Sequence, residues 1–310
     1  MNILLTGANG FIGSRLARVL NSIPEISLSS VVRRRVEITG SYVFQVPSLE
    51  ANTDWTHLLA NQQVVIHTAA RAHIIKEKAA DLLAEYRRVN VEGALNLARQ
   101  AAAAGVKRFI FISSIGVNGN INTRPFTEWD TPNPAGPYAQ SKWEAEQGLW
   151  EIQRETGIEL VIIRPPLVYG PNAPGNFGSL IRWTEKGFPM PLGSIHNQRS
   201  LVALDNLVDL IITCITHPAA ANQLFLAGDG QDLSTTELLR RLAKVSGKPS
   251  WLIPIPGSLL VFVATLLGKK VLAMRLLGSL QVDISKARDL LSWIPPISVE
   301  EGLRCCFSKD

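Results

Sequence analysis

The sequence predicts an α/β protein built on a doubly wound parallel sheet, with a smaller C-terminal α/β domain. Short apolar runs alternate with helical patterns up to Arg164, a glycine loop follows the first run, and residues 165–200 become rich in Pro, Gly and Asn. Strands that alternate with helices require right-handed crossovers and therefore a parallel sheet. We expect a first domain over 1–166 and a second over 167–310, with some segments of the second returning to the first.

Each element has its own signal. Strands are predicted where apolar residues run without interruption, and helices where apolar residues recur three or four positions apart. The predicted strands are residues 2–6, 29–32, 42–46, 63–67, 108–113, 160–164 and 201–204. The predicted helices are residues 11–20, 85–104 and 138–155, and one that begins at Asn206. Gly105 and Gly157 are expected to end two of them, since glycine tolerates the left-handed conformation at a helix C-terminus.

The composition is that of a globular protein. The chain has 310 residues, 46% of them hydrophobic and 18% charged, with a net charge of +5. Disordered chains combine low hydrophobicity with high net charge, so that class is excluded. The basic runs 33–35 and 269–270 are too short for a nucleic-acid-binding arm, and no nucleic-acid partner is expected. No His, Cys or carboxylate cluster has the spacing of a metal site, so no metal is expected.

Cysteine content and hydropathy bear on the compartment. Three cysteines are too few for a disulfide framework, and the chain opens without a basic and apolar leader, so a cytoplasmic location is expected. The stretch Trp251–Leu267 is almost free of charge, but its unbroken part is half the ~20 residues that a crossing helix needs. We expect a buried helix there and no stable membrane insertion; the alternative is an edge that leans on a membrane.

A glycine loop joins the first strand to the first helix. Gly7, Gly10 and Gly13 would let the backbone turn tightly and approach a pyrophosphate, while the free N–H groups of the helix point at the phosphates. Phe11 and Ile12 belong to the same loop. Glycines between a strand and a helix therefore predict a dinucleotide site of the Rossmann type.

The residues after the second strand predict which dinucleotide binds. An NAD site usually has an acidic residue ~20 positions after the loop, where it binds the ribose hydroxyls. Here Arg33 and Arg34 stand in that place, and the nearby acids Glu25 and Glu37 lie away from the expected strand end. A guanidinium suits a 2′-phosphate. NADP(H) is therefore the predicted cofactor, and NAD(H) is the alternative.

Tyr138 and Lys142 stand four residues apart at the start of a predicted helix, so they share one face. A nearby ammonium, together with the positive nicotinamide ring of an oxidised cofactor, favours the phenolate, and we expect Lys142 and that ring to lower the pKa of Tyr138 towards the range where it can exchange protons. Ser113 and Ser114 follow a strand whose carboxyl end is where such sheets bind ligands. Ser114, Tyr138 and Lys142 are the predicted catalytic residues; for the serines, the alternative is that their hydroxyls merely cap a turn.

These motifs resemble those of the extended short-chain dehydrogenase/reductase (NAD-dependent epimerase/dehydratase) family. The resemblance covers almost the whole chain. It rests on TGANGFIG (6–13), VVIHTAA (64–70), VNVEG (89–93), FISS (111–114), YAQSK (138–142), RPPLVYGP (164–171) and RSLVALDNLVD (199–209). It implies a Rossmann domain that binds NAD(P), a C-terminal domain that binds a nucleotide sugar, here a UDP-sugar, and a homodimer formed through the helices after Asn90 and around Tyr138.

The resemblance also implies roles for single residues. Ser114, Tyr138 and Lys142 match the catalytic Ser/Thr, Tyr and Lys, and Asn90 matches an Asn that steadies the active-site helix. Further cofactor contacts are expected at Leu49, Ala69, Ala70, Asn90, Tyr138, Lys142, Pro165 and Val168. The substrate is expected to contact Arg71, Ser114, Asn176, Arg199 and Arg275, with Arg199 on the diphosphate. Arg71 and the nearby His73 have the alternative of being ordinary polar residues of a surface loop.

A finer pattern resembles the bacterial subgroup that reduces UDP-2-acetamido-2,6-dideoxy-xylo-hexos-4-ulose to UDP-N-acetylquinovosamine. It lies in TDW (53–55), AARAH (69–73), VNG (117–119) and the tail 283–296. It implies an NADPH-dependent 4-reductase, giving that sugar or its C4 epimer for bacterial surface polysaccharide such as O-antigen. The alternatives are a UDP-N-acetylhexosamine or UDP-hexose 4-epimerase that retains NAD, and a non-catalytic NADP-binding interaction protein. Dehydratases of the family carry Asp-Glu where this chain has Ile115-Gly116, so dehydration is set aside.

Overall fold

The computed structural model describes residues 1–34, 36–72, 81–268 and 270–308. The strands are β1 (Asn2–Thr6), β2 (Ser27–Val32), β3 (Tyr42–Gln45), β4 (Val64–His67), β5 (Arg108–Ile112), β6 (Glu159–Arg164), β7 (Leu167–Tyr169), β8 (Leu201–Ala203) and β9 (Gln223–Leu226). The α-helices are α1 (Phe11–Asn21), α2 (Thr56–Leu59), α3 (Leu82–Arg87), α4 (Ala94–Ala103), α5 (Pro137–Thr156), α6 (Gly175–Glu185), α7 (Leu204–Thr216), α8 (Thr235–Val245), α9 (Gly257–Leu266), α10 (Lys270–Leu277), α11 (Ser285–Leu291) and α12 (Val299–Cys305).

Seven strands form one parallel sheet in the order β3-β2-β1-β4-β5-β6-β9. The predicted doubly wound α/β fold is confirmed. The chain first builds outward from β1 to β3 and then starts again at β4 on the other side of β1. Such a reversal opens a crevice at the carboxyl ends of the strands, which is where ligands bind in these sheets.

Both faces of the sheet are covered by helices, as a parallel sheet requires. Side chains alternate along each strand, so that Ile3 and Leu5 pack into one apolar layer and Leu4 into the other. Helices α1, α7 and α11 cover the first face, and α4 and α5 cover the second. The cleft described below therefore rests on a rigid, densely packed support.

Two segments beyond residue 167 pack with elements from the first part of the chain. Strand β9 pairs with β6 at the edge of the large sheet, and α7 packs in the same apolar layer as α1. Strands β7 and β8 form a separate parallel pair. The boundary between residues 166 and 167 remains a prediction.

The helix expected over 85–104 has a different construction. It begins at Leu82, and a π-helical turn, Arg88–Gly93, separates α3 from α4. Gly93 in this turn lies against the backbone of Leu49, where an added Cβ would come within 2.2 Å of the carbonyl oxygen. Apolar spacing alone does not distinguish a π turn from an α turn, and π turns are often found at functional sites.

The prediction that residues 251–267 contain a buried helix is wrong. Helix α9 is present, but none of its residues is buried. It packs through Leu260 against a small apolar cluster that includes Leu180 and Met190, away from the large sheet. The sheet is already covered by other helices, so the rest of α9 stays at the surface. In the described part of the chain, no helix combines the length and the apolar character needed to cross a bilayer.

Candidate active site

A cleft of about 540 Å³ lies at the carboxyl ends of β1, β2, β4, β5 and β6. This is the crevice that the strand order predicts. Most of the predicted site residues line it: Gly7, Gly10, Phe11, Ile12, Gly13, Arg33, Leu49, Ala69, Ala70, Arg71, Ser114, Tyr138, Lys142, Pro165 and Val168.

The glycine loop forms one wall of the cleft, and its glycines contribute only backbone atoms to that wall. Gly7 adopts a φ of +73°, and a Cβ on it would lie 2.7 Å from the backbone nitrogen of Ala69. A Cβ on Gly13 would lie 2.1 Å from the carbonyl oxygen of Gly7. Backbone and the N-terminus of α1 therefore face the cleft directly, an arrangement that fits the pyrophosphate of a dinucleotide.

The end of β2 supplies Val31, Val32 and Arg33 to the cleft, whereas Arg34 is exposed and lies outside it. Among the described residues that line the cleft, Glu50 is the only acid. Its carboxylate is 2.6 Å from the guanidinium of Arg88. Near β2 the cleft thus presents a cation rather than the carboxylate typical of NAD sites.

Ser114 is positioned by the end of β5 and by a turn against α5. Its Oγ accepts a hydrogen bond from the backbone N–H of Gly116 at 3.1 Å. A Cβ on Gly116 would lie 3.2 Å from the Cβ of Ala139, so this turn packs against the first turn of α5. Pro137 begins that helix and Tyr138 follows it. The serine and the tyrosine therefore enter the cleft from two elements in direct contact.

The pKa of Tyr138 is raised in the protein alone, and its lowering by Lys142 and an oxidised nicotinamide ring stays a prediction for the cofactor-bound enzyme. Tyr138 is only partly exposed, and removal from water raises its pKa to about 12, with the ring of Tyr86 5.8 Å away. Lys142 donates a hydrogen bond to the carbonyl of Ile112 at 2.8 Å and lies 4.3 Å above the Phe111 ring. Burial lowers the pKa of Lys142 to about 7. Desolvation therefore outweighs the mutual effect expected from spacing.

A buried ion pair lies behind the predicted catalytic residues. Arg164, at the end of β6, donates from Nε to the Glu146 carboxylate at 2.9 Å and from Nη1 to Asn118 at 2.8 Å. Ser113 donates its hydroxyl to the same carboxylate. Since both ions are almost wholly inaccessible, this network, which we call the cleft-floor network, locks α5 to the ends of β5 and β6. Sequence analysis missed it; the available signal was Glu146 four residues after Lys142, on the same helix face.

Asn90 acts on the cleft from behind rather than from within it. It lies in the π turn and is buried. Its side chain accepts from the backbone N–H of Arg71 at 2.8 Å and donates to Ser141 at 3.0 Å. Ser141 in turn donates to the carbonyl of Tyr138 at 2.8 Å. Asn90 thus joins the loop after β4 to the turn of α5 that carries the tyrosine.

Residues 3–228 match the family described as the NAD dependent epimerase/dehydratase family. The match spans well over half of the sequence. The chain belongs to this family. It is an enzyme of the extended short-chain dehydrogenase/reductase type.

Individual relatives agree with this family membership. A Vibrio cholerae protein named UDP-glucose 4-epimerase is 47% identical over 306 residues, covering 98% of this chain and 93% of the relative. An Escherichia coli O157:H7 protein named N-acetyl-alpha-D-glucosaminyl-diphospho-ditrans,octacis-undecaprenol 4-epimerase is 27% identical over 97% of this chain and 93% of its own length. The crystal structure of UDP-glucuronic acid 4-epimerase from Bacillus cereus in complex with NAD superposes with a TM-score of 0.80 at 24% identity, covering 99% and 97% of the two chains. This last likeness supports the fold alone.

The residues that were predicted to bind the substrate do not all line the cleft. Arg71 lines the cleft, and its guanidinium lies 3.0 Å from Glu85. Asn176, in the first turn of α6, and Arg199, just before β8, do not line it. Arg199 donates to the carbonyl of Gly278 at 3.0 Å, and burial lowers its pKa.

Some predictions cannot be placed. The side chain of Arg275 and the residues Arg35 and His73 lie outside the described residues. Within the described ranges, no group of three or more His, Cys, Asp or Glu side chains is arranged to hold a metal ion.

Proposed function

We propose that this enzyme inverts the configuration at C4 of a UDP-hexose or a UDP-N-acetylhexosamine. The observation that carries the proposal is the 47% identity, over almost the whole chain, to the Vibrio cholerae protein named UDP-glucose 4-epimerase. The cleft supports it, because Ser114, Tyr138 and Lys142 line one wall and the glycine loop another. We place the boundary of the nucleotide-binding domain near residue 166, with the nucleotide sugar bound mainly by residues beyond it.

The catalytic roles follow from the chemistry of the three side chains. Tyr138 removes the proton from the C4 hydroxyl and later returns it, while the Ser114 hydroxyl donates a hydrogen bond to the same oxygen. A nicotinamide cofactor held along the glycine loop and by Lys142 would supply a reversible hydride acceptor for C4, and its oxidised ring would bring a positive charge into the cleft that Tyr138 lines. Since removal from water raises the pKa of Tyr138 to about 12, that charge favours the phenolate which the reaction needs.

Two groups keep this geometry fixed. The cleft-floor network holds α5 against β5 and β6, and Asn90 ties the same helix to the loop after β4. Catalysis is sensitive to displacements of about 1 Å, so such supports matter even without touching the substrate. Lys142, already held by the carbonyl of Ile112, would contact the ribose of the cofactor.

The residues that we assign to the diphosphate and the sugar are those that the family resemblance predicts. We propose that Arg199 and Arg275 bind the diphosphate, with Asn176 beside them, and that Arg71 faces the sugar. A diphosphate held away from C4 positions the reacting carbon by binding energy. The partly buried guanidinium of Arg199 supports this, since a desolvated cation binds an anion more strongly.

A second candidate is the NADPH-dependent 4-reductase of UDP-2-acetamido-2,6-dideoxy-xylo-hexos-4-ulose, which would supply UDP-N-acetylquinovosamine or its C4 epimer for surface polysaccharide. One observation favours it: Arg33 lines the cleft at the end of β2, where an NAD site usually has an acid. The same observation supports a preference for NADP(H). A non-catalytic NADP-binding protein is the weakest candidate, since the Tyr–Lys pair is intact. We propose that the enzyme is a homodimer and that it is located in the cytoplasm.

One assay separates these candidates. Purified enzyme is incubated without added cofactor with UDP-glucose or UDP-N-acetylglucosamine, and separately with UDP-4-keto-6-deoxy-N-acetylglucosamine plus NADPH or NADH while absorbance is followed at 340 nm. The epimerase predicts interconversion of the C4 epimers and no stoichiometric loss of reduced cofactor. Stoichiometric loss of NADPH with formation of a UDP-6-deoxy sugar would establish the reductase instead. Binding of NADP(H) with no turnover of any sugar would favour the non-catalytic protein.

A further inference from the structure

Helix α9 presents an apolar surface that the described residues of the chain leave exposed. Its members are the large side chains of α9 and of the segment before it, together with Leu267: Trp251, Ile253, Leu259, Phe262, Val263, Leu266 and Leu267. Phe262 is 60% and Leu266 72% exposed, although both are among the most apolar residue types. Isolated exposed apolar residues are common, but a contiguous group of this size marks a binding surface. We call this group the α9 surface.

The α9 surface belongs to a firmly held part of the fold. The backbone N–H of Met190 donates to Trp251 at 2.9 Å, and that of Ile253 donates back to Met190 at 2.9 Å. Leu260 turns inward to the small cluster around Leu180 and Leu192. The inner side of α9 is therefore held against the rest of the protein, and the side chains on its outer side are exposed.

Charge around the α9 surface is strongly one-sided. Residues 238–282 contain seven Lys or Arg and no Asp or Glu, out of 31 and 26 in the whole chain. The segment has a formal charge of +7 and the rest of the chain has −2, and two of its cations, Arg241 and Lys244, are paired with Glu237 and Glu300 outside it. Lys248 is exposed three residues before Trp251, and Lys269 and Lys270 stand in the sequence three and four residues after the end of α9. An apolar group flanked by cations, with a tryptophan at its edge, has the chemistry of the interface of an anionic bilayer.

We propose that the α9 surface docks the enzyme onto an anionic lipid membrane as a peripheral protein. The helix has 10 residues, too few to span the ~30 Å hydrocarbon core but enough to lie in the headgroup region. A second copy of this chain fits less well, because a twofold contact would bring two +7 segments together. The homodimer expected from the family would use α4 and α5 and not α9. Among the described residues of α4 and α5, no large apolar side chain is exposed.

The α9 surface is mechanically connected to the proposed substrate region. Helix α10 follows α9, and at its end the carbonyl of Gly278 accepts from Arg199 at 3.0 Å. Asn197 donates to the same carbonyl at 3.0 Å and to that of Leu276 at 3.2 Å. A membrane-bound α9 would therefore hold the diphosphate-binding side of the enzyme close to the lipid surface. Docking itself does not depend on which sugar is converted.

Vesicle flotation tests the proposal. Full-length enzyme is mixed with vesicles of phosphatidylcholine alone or with 30% phosphatidylglycerol, and the floated fraction is measured across salt concentrations. Binding is expected to the anionic vesicles, weakening as salt rises. The double variant Phe262→Ser/Leu266→Ser should lose binding roughly tenfold or more. Ile294→Ser is the matched control, since Ile294 is also 72% exposed but lies outside the α9 surface.

A second pair of variants tests the charge independently. Lys269→Gln/Lys270→Gln leaves the apolar residues intact and should weaken binding roughly fivefold for each lysine. Absence of binding to anionic vesicles, or binding that neither double variant weakens, would overturn the proposal. So would a wild-type oligomer in light scattering that the Phe262→Ser/Leu266→Ser variant dissociates, because the surface would then cover a second copy. Sugar turnover, measured on the same samples without vesicles, separates failure of the proposed function from failure of docking.

Discussion

The floor of the cleft and the α9 surface depart from the usual distribution of residues in opposite directions. In the cleft floor, the charged residues Glu146 and Arg164 are buried and fully paired. On the α9 surface, Phe262 and Leu266 are apolar and exposed. Buried ions and exposed apolar groups both cost free energy of folding. The cleft floor thus gives up folding stability to fix its geometry, whereas the α9 surface leaves apolar area open for binding.

The largest expected effect lies at the cleft. Tyr138→Phe removes the proton carrier and should reduce turnover by about 10²–10⁴-fold, because acid–base catalysis contributes that much. Cofactor affinity, measured by fluorescence titration, should stay within a few-fold. The matched control is Tyr86→Phe, whose ring lies 5.8 Å away and whose hydroxyl we assign no catalytic role. Equal losses in the two variants would contradict the assignment.

The cleft-floor network should be the most sensitive charged site in the fold. Glu146→Gln leaves Arg164 buried without its counter-ion and should lower the free energy of unfolding by about 3–5 kcal/mol. Glu300→Gln removes the charged partner of Arg304, which lies 3.3 Å away at the surface. This substitution should change the free energy of unfolding by less than about 1 kcal/mol. Urea denaturation of both variants measures the contrast. Similar small losses would mean that the buried pair does not hold the cleft together.

A leucine pair sharpens the comparison between the interior and the α9 surface. Leu97 in α4 is fully buried and Leu266 is 72% exposed. Leu97→Ala should cost about 2–5 kcal/mol of folding stability, because it leaves a cavity. Leu266→Ala should stay within about 0.5 kcal/mol, since surface substitutions rarely exceed it. A large loss for Leu266→Ala in urea denaturation would show that α9 is covered in solution.

The pH dependence of stability tests the burial of Lys142. Its pKa is about 7 in the folded protein, below the ordinary value of 10.5. Between these two values the unfolded chain holds a proton that the folded chain lacks, so stability rises with pH across that window and the penalty is complete below about pH 7. Relative to Lys142→Met, the wild type should gain more than about 1.4 kcal/mol from pH 7 to pH 10, one pKa unit's worth. The free energy of unfolding of each protein is measured by denaturation at both pH values. If the difference between wild type and Lys142→Met does not change with pH, the ammonium of Lys142 is exposed to water.

The sequence predicted the sheet and one side of the site well, because local patterns determine them. Alternating apolar runs specify parallel strands, and the carboxyl ends of such strands meet at one edge, which brought Ser114 and Tyr138 to the same cleft as the glycine loop. The dinucleotide side of the cleft follows from glycine spacing for the same reason. These features need no knowledge of distant contacts.

Features that depend on distant contacts were missed. Apolar composition predicts that α9 is a helix but not whether another element covers it. Spacing places Lys142 near Tyr138 but does not weigh an attraction between charges against desolvation, which dominates here. The pairing of Glu146 with Arg164 joins residues from a helix and a strand, and no local pattern links them. Arg199 and Asn176 were proposed from the family resemblance, and the fold keeps them outside the cleft lining.

In the proposed epimerase, one enzyme-held hydride would leave C4 and return to the opposite face of the sugar. The most direct test of this transfer uses UDP-glucose and UDP-N-acetylglucosamine labelled with deuterium at C4, incubated in ordinary water without added cofactor and followed by NMR. We predict that the C4-epimeric product forms and retains deuterium at C4. Failure of both labelled sugars to change configuration, under conditions in which NADPH reduces the 4-keto-6-deoxy sugar, would contradict the epimerase and establish the reductase in its place.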